Sequence, residues 1–244
     1  MSLEPSSPTA VITGAGGTIG RAIARKLSEA GYVVHLVDLA ADEVEKTHEV
    51  IGDRAVVDVC DVANRHELSK IFERYADATL SLHCLVNAAG IPGRGAIDEV
   101  DDDLWERAVA VNLSAVYWAC RFALPALRRA GGGTIINIAS IAGVREQATS
   151  PIYSATKGGV VMFSRSLAAQ LAREDLRVFA VCPPPVDTPM LSTLFDSYSD
   201  PARAKREYSH AQPTGRLMTP EEVATVVVAL ACDPPPYSAE PLVV

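Results

Sequence analysis

Positive charge is in short supply. The chain has 22 lysines and arginines against 30 aspartates and glutamates, a net charge of -8. That balance argues against nucleic acid or an anionic membrane as a partner. Cysteine is sparse and poorly placed for pairing: Cys60, Cys84, Cys120, Cys182 and Cys232 lie far apart, with no C-x-x-C. Their odd number makes a disulfide framework an unsuitable reading and small buried hydrophobes the default. The histidines show no metal-ligand spacing, so no metal is expected. No apolar run approaches the ~20 residues of a spanning helix. VATVVVALAC (223–232) comes nearest, and its length suits a buried helix. The opening MSLEPSSP has neither the basic nor the apolar region of a signal, so residues 1–8 read as a flexible leader. These absences describe a soluble, cytoplasmic chain, on which the sequon Asn112-Leu113-Ser114 is accidental.

What remains is ample core material, with 48% hydrophobic residues over 244 positions. Short β-branched runs fall at 10–13, 32–37, 55–59, 82–87, 134–139, 177–182 and 241–244. Between them lie segments of helical period such as 18–31, 64–76 and 219–232. The strands are apolar nearly throughout, as parallel strands covered on both faces must be. Regular alternation of this kind predicts an α/β fold: one Rossmann-type domain over residues 9–244, with a doubly wound parallel sheet of about seven strands and helices on both faces.

TGAGGTIG (13–20) joins the first strand to the first helix. Glycines there let a backbone approach phosphates, and a helix start favours their charge. Asp38 ends the second strand, where a carboxylate can accept bonds from adenosine ribose hydroxyls and repel a 2′-phosphate. The plainer alternatives are an ordinary βα turn and a cap for the helix after Asp38.

The stretch PIYSATKGG (151–159) holds two catalytic patterns, Y-x-x-x-K from Tyr153 and S-x-x-K from Ser154. Ser150 suits an N-cap and Pro151 a first helical residue, so Tyr153 and Lys157 share a helix face. Ser154 also lies within reach of Lys157. The S-x-x-K chemistry needs S-D-N and K-T-G companions, and neither occurs here. TIINIAS, by contrast, places Ser140 at the carboxyl end of a strand, where ligands of this fold bind.

With Ser140, Tyr153 and Lys157 in this order, the chain resembles the classical short-chain dehydrogenase/reductase family along nearly its whole length. The family's glycine turn matches Gly14, Gly16, Gly17, Thr18, Ile19 and Gly20, with Asp38 and Leu39 after the second strand. Its adenine-contacting pair matches Asp61 and Val62, and its N-A-G turn matches Asn87, Ala88, Ala89 and Gly90. Its helix asparagine matches Asn112, and its cofactor wall matches Pro183, Val186 and Thr188. The resemblance implies an oxidoreductase interconverting a secondary alcohol and its ketone, with NAD preferred to NADP. Family members using NADP carry a base in the glycine turn or after the second strand, where this chain has Gly17 and Leu39. Tyr153 is then the acid/base, Ser140 holds the reacting oxygen, Lys157 binds ribose, and Asn112 joins a water-mediated proton relay. A free tyrosine titrates near ~10, and the charges of Lys157 and the oxidised nicotinamide should bring it down. Two rivals stand: a 3-oxoacyl-thioester reductase, and a non-catalytic NAD-binding sensor or scaffold.

Three departures from the family pattern carry expectations. Thr18 replaces a glycine, so Gly17 should take the positive φ that a β-branched residue avoids. Pro184 follows Pro183 where the family has glycine, which should stiffen the cofactor wall. The sequence ends at Val244, before the family's Asp-Gly-Gly and tail. A homo-oligomer, dimer or tetramer, is therefore expected to use the helix at 104–129. The weakly patterned segment 190–215 corresponds by resemblance to the substrate lid.

Overall fold

Side chains alternate across each strand, and the two faces of the sheet bury separate cores. In β1 (Thr9–Thr13), Val11 joins one apolar cluster while Ala10 and Ile12 join the other. Phe179 and Val181 alternate in the same way with Val178 and Ala180 in β6 (Leu176–Cys182). Each fully buried Ile, Leu or Val contributes about 1.5–3 kcal/mol relative to exposure, so both faces must be covered. The computed structural model describes residues 7–76, 80–98, 100–236 and 240–244. The leader over residues 1–6 lies outside the described residues. Pro8 belongs with the fold, since its carbonyl accepts the Val33 N–H at 2.8 Å.

Between β1 and β6 run β2 (Val33–Asp38), β3 (Ala55–Val59), β4 (Cys84–Asn87) and β5 (Gly133–Ile138), and β7 (Leu242–Val243) closes the edge. All pairings are parallel, in the order β3-β2-β1-β4-β5-β6-β7. The seven strands expected from the sequence are therefore all present. The order reverses between β1 and β4, and the crevice at that switch point is where such sheets bind ligands.

Helices α1 (Thr18–Glu29) and α2 (Ala41–Ile51) follow β1 and β2, and α3 (Arg65–Glu73) follows β3. Next come α4 (Asp102–Val109) and α5 (Ala115–Arg129), joined by a π turn over Ala110–Ser114. The set is completed by α6 (Pro151–Leu171), α7 (Pro189–Asp196), α8 (Pro201–His210) and α9 (Pro220–Cys232). Helices α1 and α9 cover one face, while α3, α5 and α6 cover the other. The run Asp102–Arg129 is long and apolar enough to cross a membrane by length and composition, contrary to expectation. It is a core helix instead. Ala115, Val116, Ala119, Cys120, Ala123, Ala126 and Leu127 are buried in the cluster shared with α3, β4 and β5.

Candidate active site

The sharp turn after β1 is set by contact distances. Gly14 has φ +70, and a Cβ there would lie 2.6 Å from the Ala89 nitrogen. A Cβ on Gly20 would lie 2.0 Å from the Gly14 oxygen. Gly17 does not take the positive φ expected of it. It sits at φ -71 as the N-cap of α1, and Thr18 is simply the first helical residue. The reversal occurs earlier, at Gly14, so a β-branched residue at 18 meets no strain. Helix α1 has no side-chain cap, whereas Asn64, Asp101, Thr188, Asp200 and Thr219 cap the helices that follow them. The start of α1 instead opens on a cavity of about 700 Å³, lined by Gly14, Gly16, Gly17, Thr18, Ile19 and Gly20. An uncapped helix start on a glycine floor is the arrangement an anionic phosphate fits.

Asp38 and Leu39 line the same cavity. Asp38 is not the N-cap of α2; that position is Ala40, without a side-chain cap. The Asp38 carboxylate accepts the Gly16 N–H (2.9 Å) through Oδ2 and the Ala40 N–H (2.9 Å) through Oδ1. It therefore ties the glycine turn to the end of β2. Beside it, Arg21 donates to the Gly16 carbonyl (3.0 Å), to the Glu43 carboxylate (2.9 Å) and to Thr47 Oγ1 (3.1 Å). Arg21 and Glu43 were not singled out from sequence, because their pairing needs α1 and α2 side by side.

Asp61, Val62, Ala88, Ala89, Gly90 and Thr188 also line the cavity, joined by Met190 from the segment 190–215 and by Cys60 and Arg107, which no local sequence pattern marks. Asn87 is not among the lining residues. Its side chain is buried in the sheet, donating to Asn137 Oδ1 at 2.8 Å, so it braces β4 against β5. Pro183 and Val186 are not among the residues that line the cavity. The Pro183 carbonyl accepts the Ile141 N–H (2.9 Å), the Pro185 carbonyl accepts that of Met218 (3.1 Å), and Val186 makes a parallel bridge to Met218. The proline run is thus anchored through its carbonyls, the only backbone groups proline can use.

Ser140 lies two residues beyond β5, and its Oγ accepts the Ala142 N–H at 3.1 Å. Tyr153 sits in the first turn of α6. Ser150 is the N-cap but makes no side-chain bond; the Tyr153 N–H is taken by the Gly93 carbonyl at 3.3 Å instead. Burial raises the Tyr153 pKa above its ordinary value, and a hydrogen bond with Ser140 pulls it partly back. The protein's own groups therefore move Tyr153 opposite to the expected direction. Lys157 is fully enclosed, and burial pushes its pKa down to about 8, with Cys182 acting upward. Its Nζ donates to the Ile138 carbonyl (2.8 Å) and lies 5.7 Å from the Tyr153 ring centroid. Ser154 Oγ, by contrast, has no hydrogen-bond partner. The S-x-x-K pairing is not made.

Asn112 occupies the π turn between α4 and α5 and is fully buried, so the sequon is inaccessible. Its amide accepts the Ile91 N–H (2.8 Å) and donates to the Ile91 carbonyl (3.0 Å) and Thr156 Oγ1 (3.2 Å). A π turn inserts one residue into the helical path, and such insertions recur at functional sites. A Cβ on Gly90 would lie 3.4 Å from Asn112 Oδ1 and 3.5 Å from Lys157 Nζ, so both polar groups flank that glycine.

A glycine floor, an acid at the end of β2 and a Ser–Tyr–Lys cluster at the carboxyl end of a doubly wound sheet define a nucleotide-dependent oxidoreductase class. The short chain dehydrogenase family model matches residues 8–199, and the chain belongs to that family. It is 38% identical over 227 residues to cis-4-hydroxycyclohexanecarboxylate dehydrogenase of Sinomonas cyclohexanicum, covering 92% of this chain and 89% of the relative. Cyclohexanol dehydrogenase of an Acinetobacter species is 32% identical, covering 96% and 91%. Among solved structures, a variant of the actinorhodin polyketide ketoreductase with NADPH superposes with a TM-score of 0.93 at 33% identity, covering 99% of this chain and 97% of that one.

Proposed function

We propose that the protein is an NAD-preferring oxidoreductase that interconverts a secondary alcohol and its ketone. The observation carrying this reading is the meeting of Ser140, Tyr153 and Lys157 beyond the end of β5, with Lys157 Nζ next to Gly90, which lines the cavity floored by the glycine turn. When bound, the nicotinamide cofactor supplies the acceptor or donor of hydride. Tyr153 takes the proton of the alcohol hydroxyl, or returns it to the ketone oxygen, while the Ser140 hydroxyl holds that oxygen. Lys157, cationic at neutral pH with a pKa near 8, stabilises the phenolate and holds a ribose hydroxyl. Asn112 braces Ile91 and Thr156 and lines the relay that returns protons to Lys157. Gly14, Gly16, Gly17 and Gly20, with Thr18 and Ile19, would receive the pyrophosphate, Asp38 and Leu39 the adenosine ribose, and Asp61 and Val62 the adenine. Residues 88–90, Pro183, Val186 and Thr188 would enclose the nicotinamide, and residues 190–215 would cover the substrate.

The names of the two cyclohexane-ring relatives support a cyclic secondary alcohol, while the superposed polyketide ketoreductase keeps a carrier-bound thioester as the second reading. Incubation with NAD⁺ and a panel of cyclohexanol, 4-hydroxycyclohexanecarboxylate and linear 2-alkanols should produce reduced nicotinamide, read at 340 nm (a property of the cofactor). Binding of NAD⁺ without turnover of any panel alcohol, or of the matching ketones with NADH, would favour the sensor reading instead. Five cysteines without a disulfide suit the reducing cytoplasm.

We also infer a homo-oligomer built on the α5 side. The face carrying Trp118 and Phe122 is already covered: Arg65 stacks 4.0 Å over Trp118, and Phe122 packs 6.3 Å from Phe72. Tyr117 and Met162 remain 39% and 56% exposed, next to Phe163. Sedimentation at micromolar concentration should give a dimer or tetramer, and Tyr117→Glu with Met162→Glu should shift it toward monomer. A wild-type protein that sediments only as monomer refutes the assembly.

A further inference from the structure

The loop after β4 joins the first turn of α6 to the end of α7 through two adjacent residues. Gly93 is pressed onto the first turn of α6: a Cβ there would meet Ile152 Cγ2 at 2.9 Å and the Tyr153 nitrogen at 3.0 Å. Its carbonyl receives the Tyr153 N–H. The next residue, Arg94, reaches the other way. Its Nη1 donates to the Leu194 carbonyl at 3.0 Å and to Ser197 Oγ at 2.5 Å, and its guanidinium lies 5.2 Å over the Tyr198 ring. Leu194 is in the last turn of α7, where the helix dipole favours a cation; its carbonyl also accepts the Ser197 N–H (3.3 Å) and the Ser197 hydroxyl (2.7 Å), so Arg94 joins an existing cap.

Helices α7 and α8 form a unit of their own. Phe195, Ala204 and Leu217 make a small cluster separate from the two that flank the sheet. A unit with so little shared core opens at low free energy unless it is tied down. One polar tie, Lys205 to Asp187 at 3.0 Å, lies on the side where the flap leaves β6. Arg94 supplies a tie on the far side, and it directly follows Gly93, whose carbonyl accepts the Tyr153 N–H.

We propose that Arg94 is a positioning residue that latches the α7–α8 flap to the wall carrying Tyr153 and so sets substrate affinity. The substrate part rests on the alcohol–ketone reading above; the latch itself does not. Arg94 is not among the residues lining the cofactor cavity, and it holds α7 at Leu194 and Ser197, the end away from the cavity-lining Thr188, Pro189 and Met190, so its loss should leave cofactor affinity nearly unchanged. A charge-assisted hydrogen bond at a partly buried site corresponds to roughly a ten- to hundredfold change in an equilibrium.

Two measurements on the full-length protein test this. In hydrogen–deuterium exchange, Arg94→Ala should speed exchange across residues 190–198 by about tenfold or more, with β1 and β4 unaffected. In steady state with the best panel alcohol, it should raise KM about ten- to hundredfold while kcat stays within about threefold and the NAD⁺ Kd within about twofold. Arg94→Lys should recover most of both effects, since a single ammonium can still reach the Leu194 carbonyl. Ser197→Ala, on the exposed end of the flap, should give a smaller change in the same direction and add little to Arg94→Ala. Unchanged flap exchange in Arg94→Ala overturns the latch whatever the turnover. Faster exchange with unchanged KM overturns its link to substrate. If the wild type turns over no alcohol or ketone while flap exchange still depends on Arg94, the functional reading falls and the latch stands.

Discussion

Tyr153→Phe should lower turnover by roughly 10²–10⁴-fold, the range for loss of a general acid/base, with NAD⁺ affinity nearly unchanged. The substitution removes one hydroxyl from a helix whose start is held by the Gly93 carbonyl and whose backbone it leaves alone. The pH profile carries the sharper signature. Burial holds Tyr153 above its ordinary pKa, and Lys157 keeps its proton up to about 8. At neutral pH the pair is therefore phenol and ammonium, poised to donate a proton to a ketone. Alcohol oxidation needs the deprotonated phenol, so its kcat should climb with pH up to about 8, where Lys157 begins to lose the charge that stabilises the phenolate. Ketone reduction needs the phenol itself and should not share that climb. In Tyr153→Phe the residual oxidation should lose the pH dependence. Stopped-flow or steady-state rates at saturating cofactor provide the check. A variant retaining near-wild-type turnover rules out the acid/base role.

How much of this was legible without coordinates depends on the range of the interaction involved. The seven strands were readable because parallel strands buried on two faces must be apolar along their whole length, and turn residues mark their ends. The Tyr153–Lys157 pair was readable because helical spacing alone brings the residues together. The glycine turn was half legible. Its position followed from the strand and helix around it, but the residue bearing the positive φ did not. That choice is made by the approach of Ala89, 75 residues away from Gly14 in sequence. Asn87 misled for a related reason. Its motif neighbours line the cavity, while its own side chain is claimed by Asn137 across the sheet. The π turn at Asn112 left no periodic trace, because one inserted residue shifts a helical pattern less than ordinary variation in it does. Arg94 and its flap partners are separated by about a hundred positions, and no local pattern encodes such a contact.

Asp38 should decide the choice of cofactor, and Asp38→Asn should relax it. Similarity cannot make that choice, since the superposed ketoreductase carries NADPH. The charges around the cavity point the other way. Asp38 and Glu43 both line it, and Arg21, the cation between them and the glycine turn, is engaged by Glu43, the Gly16 carbonyl and Thr47. A 2′-phosphate placed at Asp38 would meet a carboxylate at ~4 Å, which costs about 1–4 kcal/mol in a partly solvated site. That is roughly a fivefold to several-hundredfold penalty, at 1.4 kcal/mol per tenfold. The wild type should accordingly show a higher kcat/KM with NAD⁺ than with NADP⁺. The alanine variant is an ambiguous probe, because Asp38 also holds the N–H groups of Gly16 and Ala40, and losing those bonds disturbs the phosphate floor for either cofactor. Asparagine keeps an acceptor oxygen and the side-chain shape while removing the charge. Either way asparagine costs some stability, because one of the two N–H groups loses its acceptor. If repulsion sets the preference, Asp38→Asn also narrows the NAD⁺/NADP⁺ ratio by about tenfold or more; if Asp38 serves only as a tether, the ratio stays where it was. Glu43→Gln extends the argument: freeing Arg21 from its carboxylate should favour NADP⁺ further in the Asp38→Asn background. A wild-type kcat/KM higher for NADP⁺ than for NAD⁺ would sink the assignment at once, because no other described carboxylate at the end of β2 could be performing the exclusion.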